Sequence, residues 1–280
     1  MIIDCHQHVV LPTETQLQSM DEAGIHRTVL FSTLPHIERA TDLASFQQEM
    51  SVLGKVLQGD ADGRERPSQE LREALAIGGD RFLPFGKVPV GLGYEDTVKA
   101  LQQEVLDPGY VGVGELTFGS DQAAAIEPVL RAVSEAAVGG RALPVLVHGF
   151  TPQTAGDIRT TAELARTYSS VPVIIGALGG LNWLETINLV KEISNLYLDL
   201  ASSFISWAPR LAAAEVPERC LFGSNTPFAD MYTNRVLIER LITDPSVRDR
   251  VMGGNLAASK GTEPSDEPGP RPNQAGAEPK

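Results

Sequence analysis

The stretch IIDCHQHVV, residues 2–10, decides the fold. It is an apolar run that ends on two histidines one residue apart. In a β-strand, side chains alternate faces with a period of two. Strict alternation puts Asp4, His6 and His8 on one side of an otherwise buried strand. Two imidazoles on one face are either core histidines satisfied by hydrogen bonds or half of a metal site.

Seven further β-rich runs follow, near 27–33 (RTVLFST), 81–88 (RFLPFGKV), 110–118 (YVGVGELTF), 143–149 (LPVLVHG), 171–177 (VPVIIGA), 196–202 (LYLDLAS) and 219–225 (RCLFGSN). Amphipathic stretches such as AAIEPVLRAVSEAAV and TTAELARTY lie between them, with apolar positions three or four apart. Eight strands alternating with helices predict a parallel sheet. In a chain of 280 residues, that count favours closure into a (β/α)8 TIM barrel of about 250 residues over an open doubly wound sheet. The barrel is read as one domain over residues 1–260. Residues 34–80 are too long for one crossover and read as an extra helix and loop after the second strand. Residues 261–280, rich in Pro, Gly and charge, cannot bury enough surface to offset ordering their backbone and read as a disordered tail.

Composition narrows the function. A net charge of −13, with no cluster of Lys and Arg, excludes nucleic acid as a partner. No window approaches the roughly 18 apolar residues of a membrane span, and MIIDCHQH lacks the basic start of a signal peptide. Cys5 and Cys220 sit inside strand-like runs and read as reduced core residues of a cytoplasmic protein. The glycine-rich stretches GYVGVGE and IGALGG lack the GK[ST] of a phosphate loop, DADG lacks the spacing of a calcium loop, and FGSNT lacks the G-x-S-x-G elbow.

The five histidines are placed unevenly. In a barrel, chemistry gathers at the C-terminal ends of the strands. His6 and His8 close the first strand, His148 closes the fifth in VLVHGF, and His36 lies just beyond the second. His26 precedes the second strand, on the opposite rim. Three neutral imidazoles are enough protein ligands for a catalytic zinc with an open position. Glu115, in GVGELTF, sits in an apolar neighbourhood where an unpaired carboxylate is costly. It is read as a group at a metal or its water, with a structural salt bridge as the alternative.

IIDCHQHV, MDEAGIHRTVLFST, GVGELTF, VLVHGF, LYLDLASS and RCLFGSNTPF, in that order, resemble the amidohydrolase superfamily, most closely its amidohydrolase-related branch of hydrolases and aromatic-acid decarboxylases. The resemblance runs from residue 2 to about 258. It implies one divalent ion at the barrel mouth, zinc or alternatively manganese, with His6, His8 and His148 as ligands, a small-molecule substrate and a homodimer. Two positions depart from the family pattern. Ala177 stands where a sixth-strand histidine is usual, and Asn225 where an eighth-strand aspartate is usual. An asparagine amide cannot take a proton near neutral pH, and a positioned general base contributes typically about 10²–10⁴-fold in rate. Glu115 and His36 are the candidates to supply that base, with Asp230 behind them. The function expected is a metal-dependent hydrolase acting on an amide, lactone or ester through metal-activated water. The alternatives are a non-catalytic barrel binding a metabolite or protein, and a metal-dependent decarboxylase. A metallonuclease reading, prompted by Glu115, fails on the missing second histidine and the acidic balance.

Overall fold

Short runs of Val, Ile, Leu and Phe, buried on both faces, are the mark of parallel strands covered by helices, and eight of them form one sheet here. The computed structural model describes residues 1–57, 65–203 and 205–259. Its strands are β1 (Ile3–His8), β2 (Arg27–Phe31), β3 (Phe82–Gly86), β4 (Gly112–Leu116), β5 (Val145–Val147), β6 (Val173–Ile175), β7 (Leu196–Asp199) and β8 (Cys220–Leu221). Each neighbour pair is parallel and the spatial order follows the sequence. Backbone hydrogen bonds from Cys5 N–H to Phe222 O (2.8 Å), Asn225 N–H to His6 O (2.7 Å) and His8 N–H to Thr226 O (2.8 Å) join β1 to the last strand and close the ring. The barrel expected from the sequence is the fold observed. Every strand falls inside its predicted run and is shorter.

The helices are α1 (Thr13–Glu22), α2 (Leu43–Leu57), α3 (Glu65–Gly78), α4 (Tyr94–Leu101), α5 (Glu127–Glu135), α6 (Ala155–Thr167), α7 (Trp183–Glu192), α8 (Trp207–Glu215), α9 (Met231–Leu241), α10 (Pro245–Asp249) and α11 (Asn255–Ser259). Local chemistry fixes their ends. Thr154 and Asp157 form a reciprocal capping box at α6, and Asp230 caps α9. The segment after β2 holds two helices and a short 3₁₀ turn (Ile37–Arg39), not the single extra helix expected. Residues 58–64 lie outside the described residues, and α3 begins directly after them, its Leu71 and Ala74 buried at helical spacing. The tail expected over 261–280 also lies outside the described residues.

Two apolar layers hold the barrel. Ile3, Cys5, Val29, Phe31, Leu83, Phe85, Leu146, Ile174 and Leu221 pack together inside the ring. A larger layer lies between the outward faces of the strands and the helices, including Leu30, Val113, Val145, Val173, Leu198 and Phe222. Phe31 and Phe85 meet edge to face at 5.4 Å and plug the interior below the strand ends. Cys5 and Cys220 are free and buried, as expected. No helix among the described residues is long and apolar enough to cross a membrane.

Candidate metal centre

The first strand breaks its own alternation. Its pairing with β2 shifts register between Asp4 and Gln7. This marks a bulge, an irregularity that re-aims side chains and recurs beside active sites. Two adjacent residues consequently reach the same carboxylate: Cys5 Sγ lies 3.5 Å from Asp199 Oδ1, and His6 Nδ1 lies 2.7 Å from Asp199 Oδ2. Asp4 turns the other way, accepting from Gln7 Nε2 (2.8 Å) and from the backbone N–H groups of His6 (2.9 Å) and Ser224 (3.0 Å). The expectation that Asp4 shares a face with the two histidines is therefore corrected. His6 and His8 pack over Phe31, with ring centroids at 5.3 and 5.8 Å, while Asp4 serves the joint between β1 and the last strand.

Three ligand atoms converge above Phe31. His6 Nε2 and His8 Nε2 are 3.3 Å apart, and Glu115 Oε2 lies 3.8 and 3.5 Å from them. A tetrahedral ion with bonds of about 2.05 Å spaces its ligand atoms at about 3.3 Å, so this donor set fits a divalent metal. Two further observations agree. His6 is oriented through its other nitrogen by Asp199, the carboxylate–histidine arrangement that supports metal ligands. The buried Nδ1 of His8 has no hydrogen-bond partner among the described residues, so all the polar contacts of this ring are made by Nε2, on the side of His6 and Glu115. Glu115 reaches inward because the pairing of β4 with β5 also shifts register, between Val113 and Leu116.

His148, implied as a third histidine ligand, meets the cluster through Glu115. Its Nδ1 lies 2.7 Å from Glu115 Oε1, and its Nε2 lies 3.2 Å from Thr151 O. The third converging ligand atom thus comes from Glu115, and His148 holds that carboxylate's second oxygen. Electrostatics follow this geometry. Burial opposes charge on His6, but the Asp199 carboxylate and then Glu115 outweigh it and raise its pKa to about 10. Burial lowers His8 to about 4, helped by the positive charges of His6, Lys87 and His148 against the pull of Glu115. Burial alone would raise Glu115, yet His148 and His6 hold it well below the usual carboxylate range. His148 is raised by Glu115 against its own burial. In the absence of an ion, His6 and His148 are thus paired with the carboxylates of Asp199 and Glu115, and His8 is the imidazole that burial keeps neutral and suited to ligation.

Above the cluster opens a cavity of about 640 Å³. Its lining includes His8, Glu115, His148 and Asn225, the cation Lys87, hydroxyls from Thr33, Thr117 and Ser202, and an apolar wall of Leu34, Met50, Leu53, Phe150 and Phe228. Asn225 sits there as expected, its Nδ2 donating to Ser202 Oγ at 2.9 Å. Both residues adopt left-handed backbone angles, φ 59° and 53°, of the kind that cluster at functional sites. Asp230 also lines the cavity, but as an exposed cap accepting from Thr233 N–H at 2.6 Å. Ala177 contributes only backbone: its N–H donates to Asp199 Oδ2 at 2.9 Å. It opens a left-handed turn in which Gly179 is required, because a Cβ there would stand 2.0 Å from Thr186 Oγ1.

His36, a candidate base from the sequence, lies apart from the cluster. It follows β2 on the predicted rim, yet it is buried in the insertion and absent from the cavity lining. Its Nδ1 lies 2.8 Å from Glu38 Oε1, its Nε2 3.1 Å from Glu70 Oε2, and its backbone N–H donates to Glu49 at 2.8 Å. Glu38 of the turn and Glu70 of α3 claim the imidazole while Glu49 of α2 takes the backbone N–H, a convergence that position along the chain does not reveal. His26, on the opposite rim as expected, is exposed and accepts from Ile2 N–H at 3.1 Å.

Sequence reasoning missed Asp199 and Lys87. Both carried a readable signal. Asp199 is an acid inside the apolar run LYLDLAS, costly there for the reason that singled out Glu115. Lys87 follows the apolar run FLPFG directly, at a strand's C-terminal end.

The family model described as amidohydrolase matches residues 3–258. No sequence among curated proteins matches the chain. Among solved structures it is similar to 2,6-dihydroxybenzoate decarboxylase from Rhizobium, at 15% identity and TM-score 0.60, covering 93% of this chain and 98% of that one. It is similar to a dihydroxybenzoic acid decarboxylase from a Polaromonas species with bound manganese and the inhibitor 2-nitroresorcinol, at 16% identity and TM-score 0.62, covering 93% and 96%. It also resembles 4-oxalomesaconate hydratase from Rhodopseudomonas palustris, at 16% identity and TM-score 0.59, covering 94% and 96%.

Proposed function

The chain belongs to the amidohydrolase family, and from that premise we propose a metal-dependent hydrolase that cleaves an amide, lactone or ester in a small molecule held in the cavity. The observation that carries this reading is the convergence of His6 Nε2, His8 Nε2 and Glu115 Oε2 beside a ligand-sized cavity. These three residues would hold one divalent ion, zinc or manganese. When bound, the ion supplies Lewis acidity, which lowers the pKa of water and polarises a carbonyl. Asp199 fixes the orientation of His6. Glu115 would offer Oε2 to the ion, while its Oε1 contacts His148 Nδ1. The Glu115–His148 contact is where this chain holds the proton that the eighth-strand aspartate handles elsewhere in the family. Asn225 offers an amide to a substrate oxygen and takes no proton. The apolar wall excludes water from the remainder of the substrate.

A second reading, decarboxylation of an aromatic acid, draws support from the likeness to two decarboxylases, one with manganese and an aromatic inhibitor, and from Phe150 and Phe228 in the cavity wall. Elemental analysis of untagged protein beside the His6→Ala, His8→Ala double variant tests what the two readings share. About one zinc or manganese per chain, lost in the variant, is the expected result. Acid release from a panel of amides, lactones and esters, abolished by Glu115→Gln, then separates hydrolysis from carbon dioxide release. Absence of metal under replete conditions removes both readings and leaves a barrel that binds a metabolite or protein.

A further inference from the structure

We propose that the cavity selects a substrate whose reacting carbonyl carries an extended aliphatic chain, with Met50 and Leu53 of α2 as specificity determinants along the path of that chain. The inference rests on the cavity being the substrate site proposed above, and it names the substrate class. The lining changes character with the element that supplies it. The strands and the loops that follow them bring His8, Glu115, Thr117, His148, Ser202 and Asn225. Segment 34–57 brings Leu34, Pro35, Met50 and Leu53, all apolar. Phe228 joins the two ends. Its ring meets His8 edge to face with centroids at 5.4 Å, so apolar surface begins directly beside the metal cluster.

The apolar residues Leu43, Phe46, Met50 and Leu53 of α2 recur at spacings of three and four, which places them on one stripe of the helix. None of residues 43–55 is fully buried, and Leu43 and Phe46 are 71% and 40% exposed. A stripe that is not sunk in the core gains from the apolar surface it covers. Its inner half, Met50 and Leu53, faces the cavity, and its outer half continues the same surface toward solvent. The space agrees with a long ligand. One benzene ring fills a cavity of about 150 Å³, and the cavity here is about 640 Å³. A one-ring substrate leaves most of it unfilled, whereas a chain laid from Phe228 toward Leu53 sets apolar atoms against apolar lining.

The test measures binding of the methyl ketones 2-butanone, 2-hexanone and 2-octanone to full-length protein by ligand-observed NMR. A ketone presents the carbonyl without a leaving group, so binding is read independently of turnover. Affinity is expected to rise about four-fold per methylene, the value of moving one methylene out of water. Met50→Ser and Leu53→Ser should each reduce the rise between 2-hexanone and 2-octanone and leave 2-butanone unchanged. Val138→Asp, at an 83% exposed position outside the cavity lining, should keep the full rise, as should the His6→Ala, His8→Ala variant. Thermal melting of each variant confirms a folded protein before binding is scored. The proposal is overturned by no saturable binding of 2-octanone to wild type, by equal affinities for 2-hexanone and 2-octanone, by a full rise in both serine variants, or by a rise that Val138→Asp removes. Affinities that weaken as protein concentration is raised assign the stripe to a second copy of the chain and overturn it as well. A protein that binds no metal yet shows the rise refutes the metal centre alone, and one that binds an ion without the rise refutes this proposal alone.

Discussion

Asp199 is fully buried and uses both oxygens, Oδ2 on His6 Nδ1 and Ala177 N–H, and Oδ1 on Ala201 N–H (2.8 Å) and Cys5 Sγ. Its approach dictates a neighbour: a Cβ on Gly223 would stand 2.0 Å from Oδ1, so only glycine leaves room. A carboxylate in this position fixes the ring and the tautomer of a metal-ligating histidine. Asp199→Asn keeps the shape and removes the charge. Its affinity for zinc or manganese is expected to fall about 10–100-fold, measured by competition against a calibrated chelator. An unchanged affinity would remove His6 from the ligand set. Ala177 shows the limit of reading side chains alone, since its contribution to the centre is a backbone N–H that any residue except proline supplies.

The insertion after β2 is the element that gives the cavity its wall, through Leu34 and Pro35 of the loop and Met50 and Leu53 of α2. His36 ties it down by bridging Glu38 of the turn and Glu70 of α3, with Arg66 lying 3.5 Å from Glu70 and donating to Leu34 O at 2.7 Å. The bond to Glu38 raises the His36 pKa above its ordinary 6.5 despite burial, with Glu70 adding to it. Burial works against ionisation of Glu38, but the His36 bond and two backbone N–H groups lower it overall. A histidine raised in the folded state contributes stability that is complete below its ordinary value and is lost as pH climbs through the raised one. A lowered glutamate contributes above its ordinary value and loses that contribution as pH falls. The clasp is therefore strongest between the two. Hydrogen exchange of Leu43–Leu57 and of 66–78 should accelerate as pH rises through the raised histidine value beyond the chemical dependence of exchange, with no matching change in the strands. His36→Gln should remove that dependence, and a dependence that persists in the variant assigns it to another group.

At the scale of the whole molecule, the ring closes where β1 meets the last strand, and Asp4 is the polar group that secures the joint. It is fully buried, and burial raises its pKa to about 6 against the hydrogen bonds that pull it down. Its three accepted bonds tie His6 and Gln7 of the first strand to Ser224 after the last. Gln7 carries the connection outward to Gln16 of α1 at 2.9 Å. Asp4→Ala leaves three buried donors without partners and is expected to cost about 3 kcal/mol, read from urea unfolding. Asp4→Asn keeps an acceptor for the two backbone donors and should cost less. Equal stabilities for the alanine variant and wild type would place the joint elsewhere. The two histidines stand on this strand, so its closure and the geometry of the metal centre depend on one another.

Periodicity and length were enough to read the eight-strand alternation and the closed barrel, because buried parallel strands need apolar runs wherever the chain places them. The rim positions of His6, His8, His148, Glu115 and Asn225 were also legible, since strand ends are local. The direction of a side chain was not. A one-residue bulge separates Asp4 from the histidines, and a ladder register forms only when two strands pair. His36 had the right place in the chain, but its ring is taken by Glu38 of the adjoining turn and by Glu70, which α3 brings round from 34 residues away. Asp199 and Lys87 join the site from β7 and from the end of β3. The amino-acid sequence by itself determined the barrel and the supply of ligands, because both depend on short-range patterns. Only the tertiary structure decided which ligands converge, because convergence is a distance between residues that the chain brings together from opposite sides of the ring.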